Sequence, residues 1–98
     1  MSRIMNAIVS GADRRFYPEI MASQVELVLQ HERGKSLFRV QETRENSMDM
    51  YRIFQTGSLN EMNGRPCRIE VDDCTGEIMS IRNLIYDNVK PVENEPIV

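Results

Sequence analysis

The chain has 98 residues, of which 41% are hydrophobic and 28% charged, and its net charge is −3. This length suits one domain with a thin core. The acidic balance argues against direct nucleic-acid binding, because proteins that bind nucleic acid usually carry a large basic surplus. No apolar run reaches about 18 residues, so we expect no membrane span. Two cysteines are too few for a disulfide scaffold, and no signal-peptide pattern is visible; together these features indicate a cytoplasmic location.

Alternating apolar residues predict three strands in the N-terminal half, at 4–9, 23–30 and 37–41. A turn at 10–13 is expected to end the first strand. We expect an irregular connection at 14–19, because Pro18 cannot donate to a central ladder. The second and third strands form a hairpin whose loop places Gly34 at positive φ. Phe38 and Val40 are expected to face the core.

A short helix is predicted next, capped by Asn46 or Ser47 and ended by Gly57. Its apolar face consists of Met50, Ile53 and Phe54, which stand at positions i, i+3 and i+4. Ser58 and Glu61 have the spacing of a capping box over a second, single helical turn.

The stretch 63–87 predicts a closing β-hairpin. Its first strand places three alternating residues on the core side, namely Cys67, Ile69 and Val71. Its second strand is expected to do the same with Met79, Ile81 and Ile85, with Asn83 as a polar break. Between the strands, residues 72–76 are rich in turn formers.

These elements predict an α+β fold, a small antiparallel sheet in the order β-β-β-α-β-β with one short helix packed on it. Residues 1–87 are expected to form the single domain. Residues 88–98 are expected to be an extended or disordered tail without a core role. Besides the positions already given, the predicted core contains Val25 and Leu27.

No pattern in the sequence indicates catalysis. There is no glycine-rich phosphate loop, and no Ser/His/Asp or Cys/His set can be assembled. The single histidine, His31, belongs to the predicted hairpin loop and is expected to be solvated. We therefore expect a protein that is not an enzyme, with no catalytic residues, no metal and no cofactor.

The sequence contains more residues suited to ligand binding than to catalysis. The irregular segment combines two cations with two aromatic side chains, Arg14, Arg15, Phe16 and Tyr17, a combination that can stack a base and hold a phosphate. Further candidates are Tyr51 on the helix and Arg68, Arg82 and Asn83 on the closing hairpin. Two alternatives remain open. The arginines can be surface residues in cross-strand ion pairs, for example with Glu70. Phe16 and Tyr17 can form a core plug beneath the loop.

The order of elements resembles a group of small bacteriophage proteins. That group opens with a strand like residues 3–8, RIMNAI, and continues with two strands, a helix and a leucine-x-glycine-lysine turn before a closing hairpin. Here the turn is Met62-Asn63-Gly64-Arg65, and the hairpin strands are 67–71 and 78–85. The sequence departs from the group in two places. Residues 35–40, KSLFRV, replace a glycine-rich aromatic strand, and the tryptophan after the helix is missing.

The resemblance implies a counter-defence protein. Its layout is similar to the anti-Thoeris sponges, which bind cyclic ADP-ribose-type signals between protomers and sequester them without hydrolysis. This implies a homo-oligomer whose arginine and aromatic side chains hold a small anionic nucleotide. An alternative is an anti-CRISPR-type inhibitor that blocks a host defence protein by direct contact. A third possibility is a structural module of a virion.

Overall fold

The computed structural model of the chain describes residues 1–97 and contains six strands, one α-helix and one short 3₁₀ helix. The strands are β1 (Ser2–Tyr17), β2 (Ala22–His31), β3 (Gly34–Gln41), β4 (Pro66–Asp72), β5 (Ile78–Arg82) and β6 (Val92–Glu93). Helix α1 spans Arg44–Phe54, and the 3₁₀ helix spans Asn60–Met62. The sheet order is β3-β2-β1-β4-β5-β6, and all neighbouring strands are antiparallel. The predicted α+β fold is confirmed.

Strand β1 is 16 residues long, so the expected turn at 10–13 and the irregular connection at 14–19 are wrong. Its first half pairs with β4 and its second half with β2, and a register shift lies between Val9 and Gly11. The buried positions show the same shift, because the alternation through Ala7 and Val9 resumes at Ala12. A bulge bends the strand without ending it, which lets one strand serve both halves of a curled sheet.

The hairpin between β2 and β3 follows the prediction closely. Its turn consists of Glu32 and Arg33, and Gly34 has a φ of 123°. Phe38 and Val40 are both buried, as predicted.

Helix α1 has the predicted apolar face but different ends. Its N-cap is Thr43, whose hydroxyl accepts a 3.0 Å hydrogen bond from the main-chain nitrogen of Asn46. The predicted caps Asn46 and Ser47 therefore lie inside the first turn. The helix ends at Phe54, followed by Gln55 with a φ of 56°, so the expected stop at Gly57 is also wrong. Several residues of this segment are of a type that can cap a helix, among them Thr43, Asn46 and Ser47. The packing of the helix decides which of them is the N-cap.

The predicted capping box does not form. Ser58 and Glu61 bond each other through their side chains at 3.2 Å. The 3₁₀ helix that follows has no side-chain cap at its N-terminus.

In the closing hairpin, the prediction for β4 is confirmed and that for β5 is partly wrong. Cys67, Ile69 and Val71 are buried, whereas Met79 and Ile85 are exposed. A register shift between Glu70 and Val71 changes which residues of β5 face inward. Ile78 and Ile81 fill those positions, and Ile85 lies beyond the end of the strand.

The C-terminal segment has a core role, contrary to expectation. Val92 of β6 is 4% exposed and packs in the core. Beyond β6, the side-chain oxygen of Asn94 accepts a 2.8 Å bond from Arg39 N, and Glu95 N donates a 2.8 Å bond to Arg39 O. These contacts join the end of the chain to β3 at the far edge of the sheet. The two sheet edges leave main-chain groups that need partners, and a local sequence pattern does not reveal where those partners come from.

The core lies between the curled sheet and α1. Of the residues predicted to face it, all except Met79 and Ile85 are buried, including Val25, Leu27, Phe38, Ile53, Phe54, Cys67, Ile69, Val71 and Ile81. Within residues 1–97, no helix has both the length and the apolar character needed to cross a membrane.

Candidate functional site

The four candidates of the irregular segment do not form one cluster. They lie in β1, where successive side chains point to opposite faces. Arg14 donates a 2.6 Å bond to Glu42, and it lines a cavity of only about 10 Å³ together with Tyr51. Arg15 and Tyr17 occupy the other face of the strand, where Tyr17, and then the carboxylate of Glu26, raise the pKa of Arg15.

Phe16 is 54% exposed, which excludes the interpretation of this residue as a core plug. The segment is also far from the closing hairpin. Arg68 is paired with Asn6 of β1, and Arg15 lies nine positions further along the same strand. Nine residues of straight extended strand span about 30 Å, and the bulge in β1 shortens this separation without closing it. One chain therefore does not bring the predicted arginine and aromatic side chains into a single concave site.

Arg82 takes part in the surface ion pair that was the alternative interpretation. Its guanidinium lies 3.1 Å from Glu70 Oε1. Glu70 also accepts hydrogen bonds from Ser2 at 2.7 Å and from Ser80 at 3.3 Å. The Ser2 bond and then the Arg82 bond lower the pKa of Glu70. Arg82 thus belongs to a polar network on β4 and β5.

Arg68 holds the loop that follows β5. Its Nε donates a 2.8 Å bond to the main-chain oxygen of Asn83, and its Nη2 lies 2.6 Å from Asp87 Oδ1. The first bond fixes the beginning of the loop at 83–87, and the second fixes its end. Because one guanidinium makes both contacts, it links the beginning of the loop to its end.

Asn83 holds the same loop from inside the protein. It is buried, and its Nδ2 donates a 2.8 Å bond to the main-chain oxygen of Ile53 near the end of α1. Its Oδ1 accepts from the main-chain nitrogens of Ile85 at 2.9 Å and Tyr86 at 2.8 Å. A short polar side chain that bonds main-chain nitrogens two and three residues ahead is a typical turn-forming arrangement. Asn83 therefore ties the loop to the helix.

The loop presents large apolar side chains to solvent. Ile85 is 70% exposed and Tyr86 is 54% exposed. Both line a shallow cavity of about 120 Å³ whose other walls include Phe54, Arg65 and Pro66. Pro66 is in turn paired across the sheet with Ile8, which is 52% exposed. We call this continuous surface the Tyr86 patch, and it consists of Ile8, Arg65, Pro66, Ile85 and Tyr86.

The composition of the Tyr86 patch is more typical of a binding surface than of a catalytic site. Its only ionisable groups are a guanidinium and a phenol. No group of three or more potential metal ligands occurs in the described part of the chain. Apolar, aromatic and arginine side chains on an ordered support are the composition favoured at the centres of protein interfaces.

Sequence reasoning missed Ile85 and Tyr86 because it extended the alternation of β5 through Asn83. The available signal was Asn83 itself, since an asparagine side chain can bond main-chain nitrogens just ahead of it and so begin a turn.

No family model, no curated protein and no solved structure matches this chain. The fold and the Tyr86 patch together define a small α+β domain with an exposed apolar and aromatic surface around the loop that follows β5.

Proposed function

We propose that this protein is a binding protein without enzymatic turnover, which acts by direct contact with another protein through the Tyr86 patch. The observation that carries the proposal is the ordered exposure of Ile85 and Tyr86. Single exposed apolar side chains are common on soluble proteins, whereas a contiguous exposed apolar patch such as this one often marks an interaction site.

The support beneath the loop favours tight contact. Asn83 and Arg68 fix the loop before any partner arrives. Association then loses less conformational entropy than it would with a mobile loop. Tyrosine and arginine are also among the residue types enriched at positions that dominate binding energy. Neighbouring polar side chains such as Gln55 form the rim.

The resemblance to bacteriophage proteins suggests which partner this contact would have. In an infected cell, the partner would be a host defence effector that the protein blocks by occupying its surface, and the site of action would be the host cytoplasm. The acidic net charge fits a partner with a basic surface.

Sequestration of a cyclic nucleotide stays a prediction. Its supports are Arg15, which lies beside Tyr17 and forms no salt bridge within residues 1–97, and the arginines of the closing hairpin. Within one chain these side chains lie apart, so the sponge needs a homo-oligomer that brings two protomers together.

The proposal is tested by recovering a partner and measuring its affinity. The immobilised protein is exposed to lysate from bacteria that carry defence systems, and the recovered protein is purified. Its Kd is then measured against the parent, Tyr86→Ala and Phe16→Ala. Phe16 is the matched control because it is as exposed as Tyr86 but lies outside the patch. We expect Tyr86→Ala to weaken binding about 30-fold and Phe16→Ala to leave it unchanged.

Two results would overturn contact through the patch. One is an unchanged Kd for Tyr86→Ala, and the other is an equal loss for Phe16→Ala. Calorimetry with cyclic ADP-ribose and cyclic dinucleotides tests the other function. Binding by the parent that is lost in Arg82→Ala would replace our proposal with nucleotide sequestration.

A further inference from the structure

Strand β3 has a partly unpaired edge. Main-chain groups in an antiparallel strand point alternately towards and away from the neighbouring strand. The main-chain groups of Arg39 point away from β2, since they bond Asn94 and Glu95. Leu37 and Lys35 stand two and four positions earlier and therefore direct their groups the same way. No main-chain partner outside β2 reaches either residue from the described part of the chain.

A cavity of about 410 Å³ lies beside this edge. One wall is formed by β3 with Ser36, Leu37 and Arg39. The facing wall is the turn between β4 and β5 at Thr75–Ile78, and Asn94 and Pro96 close one end. Leu37 is 44% exposed at the rim. The contacts of residues 94–95 with Arg39 connect the segment after β6 to β3. From Leu37 towards Lys35, the gap beside β3 remains open.

The β3 side of this cavity is positively charged, whereas the facing wall carries the carboxylate of Glu77. Arg33, Lys35 and Arg39 follow one another along the hairpin, and within residues 1–97 none of the three forms an ion pair. The Nε of Arg39 is buried and has no hydrogen-bond partner among the described residues. A lysine on an exposed strand edge also opposes pairing with a cationic or neutral strand. An acidic strand would remove that opposition and place carboxylates near the charges of Lys35 and Arg39.

The chain itself shows that an acidic segment can pair here. Residues 92–95 read Val-Glu-Asn-Glu, and their last residue forms a parallel bridge with Val40 of β3. This segment satisfies the edge at Arg39 through one side-chain and one main-chain bond. A second acidic strand could therefore continue the same pairing over the part of β3 that residues 92–95 leave unoccupied.

We propose that the β3 edge from Lys35 to Leu37 is a docking site for an extended acidic peptide of a partner protein. The peptide adds a strand to the sheet by main-chain hydrogen bonds, and its carboxylates face Lys35 and Arg39. Its alternating apolar side chains lie on the opposite face of the added strand, on the side of Ser36. None of these residues belongs to the Tyr86 patch, so this site does not depend on the function proposed above.

The probe is a capped peptide of alternating valine and glutamate, titrated into the full ¹⁵N-labelled chain. We expect amide signals of residues 35–37 to shift and the Leu37 amide to exchange more slowly with solvent. Leu37→Pro removes one edge N–H without removing a bond to β2. It should weaken peptide binding at least about tenfold. Leu37→Val keeps the N–H and serves as its control.

Lys35→Glu provides a second test that leaves the main chain intact. This variant should lose affinity for the valine–glutamate peptide and gain affinity for a valine–lysine peptide. Tyr86→Ala should bind the acidic peptide as the parent does. The proposal is overturned if neither peptide shifts residues 35–37, if folded Leu37→Pro binds like the parent, or if Lys35→Glu retains the parent's preference.

Discussion

The Nε of Arg68 donates a 2.8 Å hydrogen bond to the main-chain oxygen of Asn83, and this contact fixes the start of the loop that exposes Ile85 and Tyr86. Both partners were predicted from the sequence to touch a nucleotide. In the structure they position the loop. In the proposed contact function, their role is indirect, through the side chains that they hold in solvent.

Asn83→Ala should lower the free energy of unfolding by about 1–3 kcal/mol. The change leaves the Ile53 oxygen and two loop nitrogens without their partner. Chemical denaturation measures the loss, and Asn88→Ala, at an exposed position in the same segment, is the control. If the two variants were equally stable, Asn83 would not hold the loop.

Phe54→Ala should lower the free energy of unfolding by about 3–5 kcal/mol, because it removes a buried aromatic ring between α1 and the sheet. Met48→Ala, on the exposed side of the same helix, should change it by less than about 1 kcal/mol. Thermal unfolding of both variants provides the comparison. A silent Phe54→Ala would mean that the apolar face of the helix is misassigned.

The two thiols should differ in reactivity. Burial raises the pKa of Cys67 to about 12, so this thiol stays protonated near neutral pH. Cys74 is exposed in the turn between β4 and β5. A thiol reagent at pH 8 should modify one cysteine in the native protein and both in denaturant. Cys74→Ser should abolish the native reaction; rapid labelling of that variant would show that Cys67 is accessible.

Glu70 should contribute to acid sensitivity. Its pKa is lowered in the folded protein, chiefly by the Ser2 and Arg82 bonds. A lowered folded pKa means that the stabilisation is present above the unfolded value of about 4.3 and is lost as the pH falls through the folded value. Glu70→Gln should therefore be less stable than the parent at pH 7 and should lose less stability on acidification to pH 3. The free energy of unfolding across this range measures the effect, and Glu19→Gln, at an exposed residue outside the network, is the control. Parallel pH curves for parent and Glu70→Gln would show that the network does not perturb Glu70.

Val92→Ala tests the core role of the C-terminal segment. It should lower the free energy of unfolding by about 1–2 kcal/mol, since a buried side chain loses two methyl groups. Glu93→Ala, at the exposed neighbouring position, should have little effect. Equal stability of the two variants would mean that β6 does not pack on the core in solution.

Sequence alone was sufficient for the elements whose pattern is local. The spacing of apolar residues predicted β2, β3, β4 and α1, because half-buried strands and amphipathic helices repeat their apolar residues at fixed intervals. The same intervals identified core residues such as Phe38, Ile53 and Cys67, but they also placed Met79 and Ile85 on the core side, where the structure has them exposed.

Tertiary structure decided the features that depend on distant partners. Gly11 and its neighbours resemble a turn, yet β4 on one side and β2 on the other hold them in a bent strand. Val92 becomes a core residue because β5 offers it an edge. Arg14 and Arg15 are adjacent in sequence but face opposite sides, so a cluster of binding residues in the sequence is not a site in the fold. Asn83 acts as a loop support only because folding brings Ile53 and Arg68 within hydrogen-bond distance, and these contacts cross 30 and 15 positions of the chain.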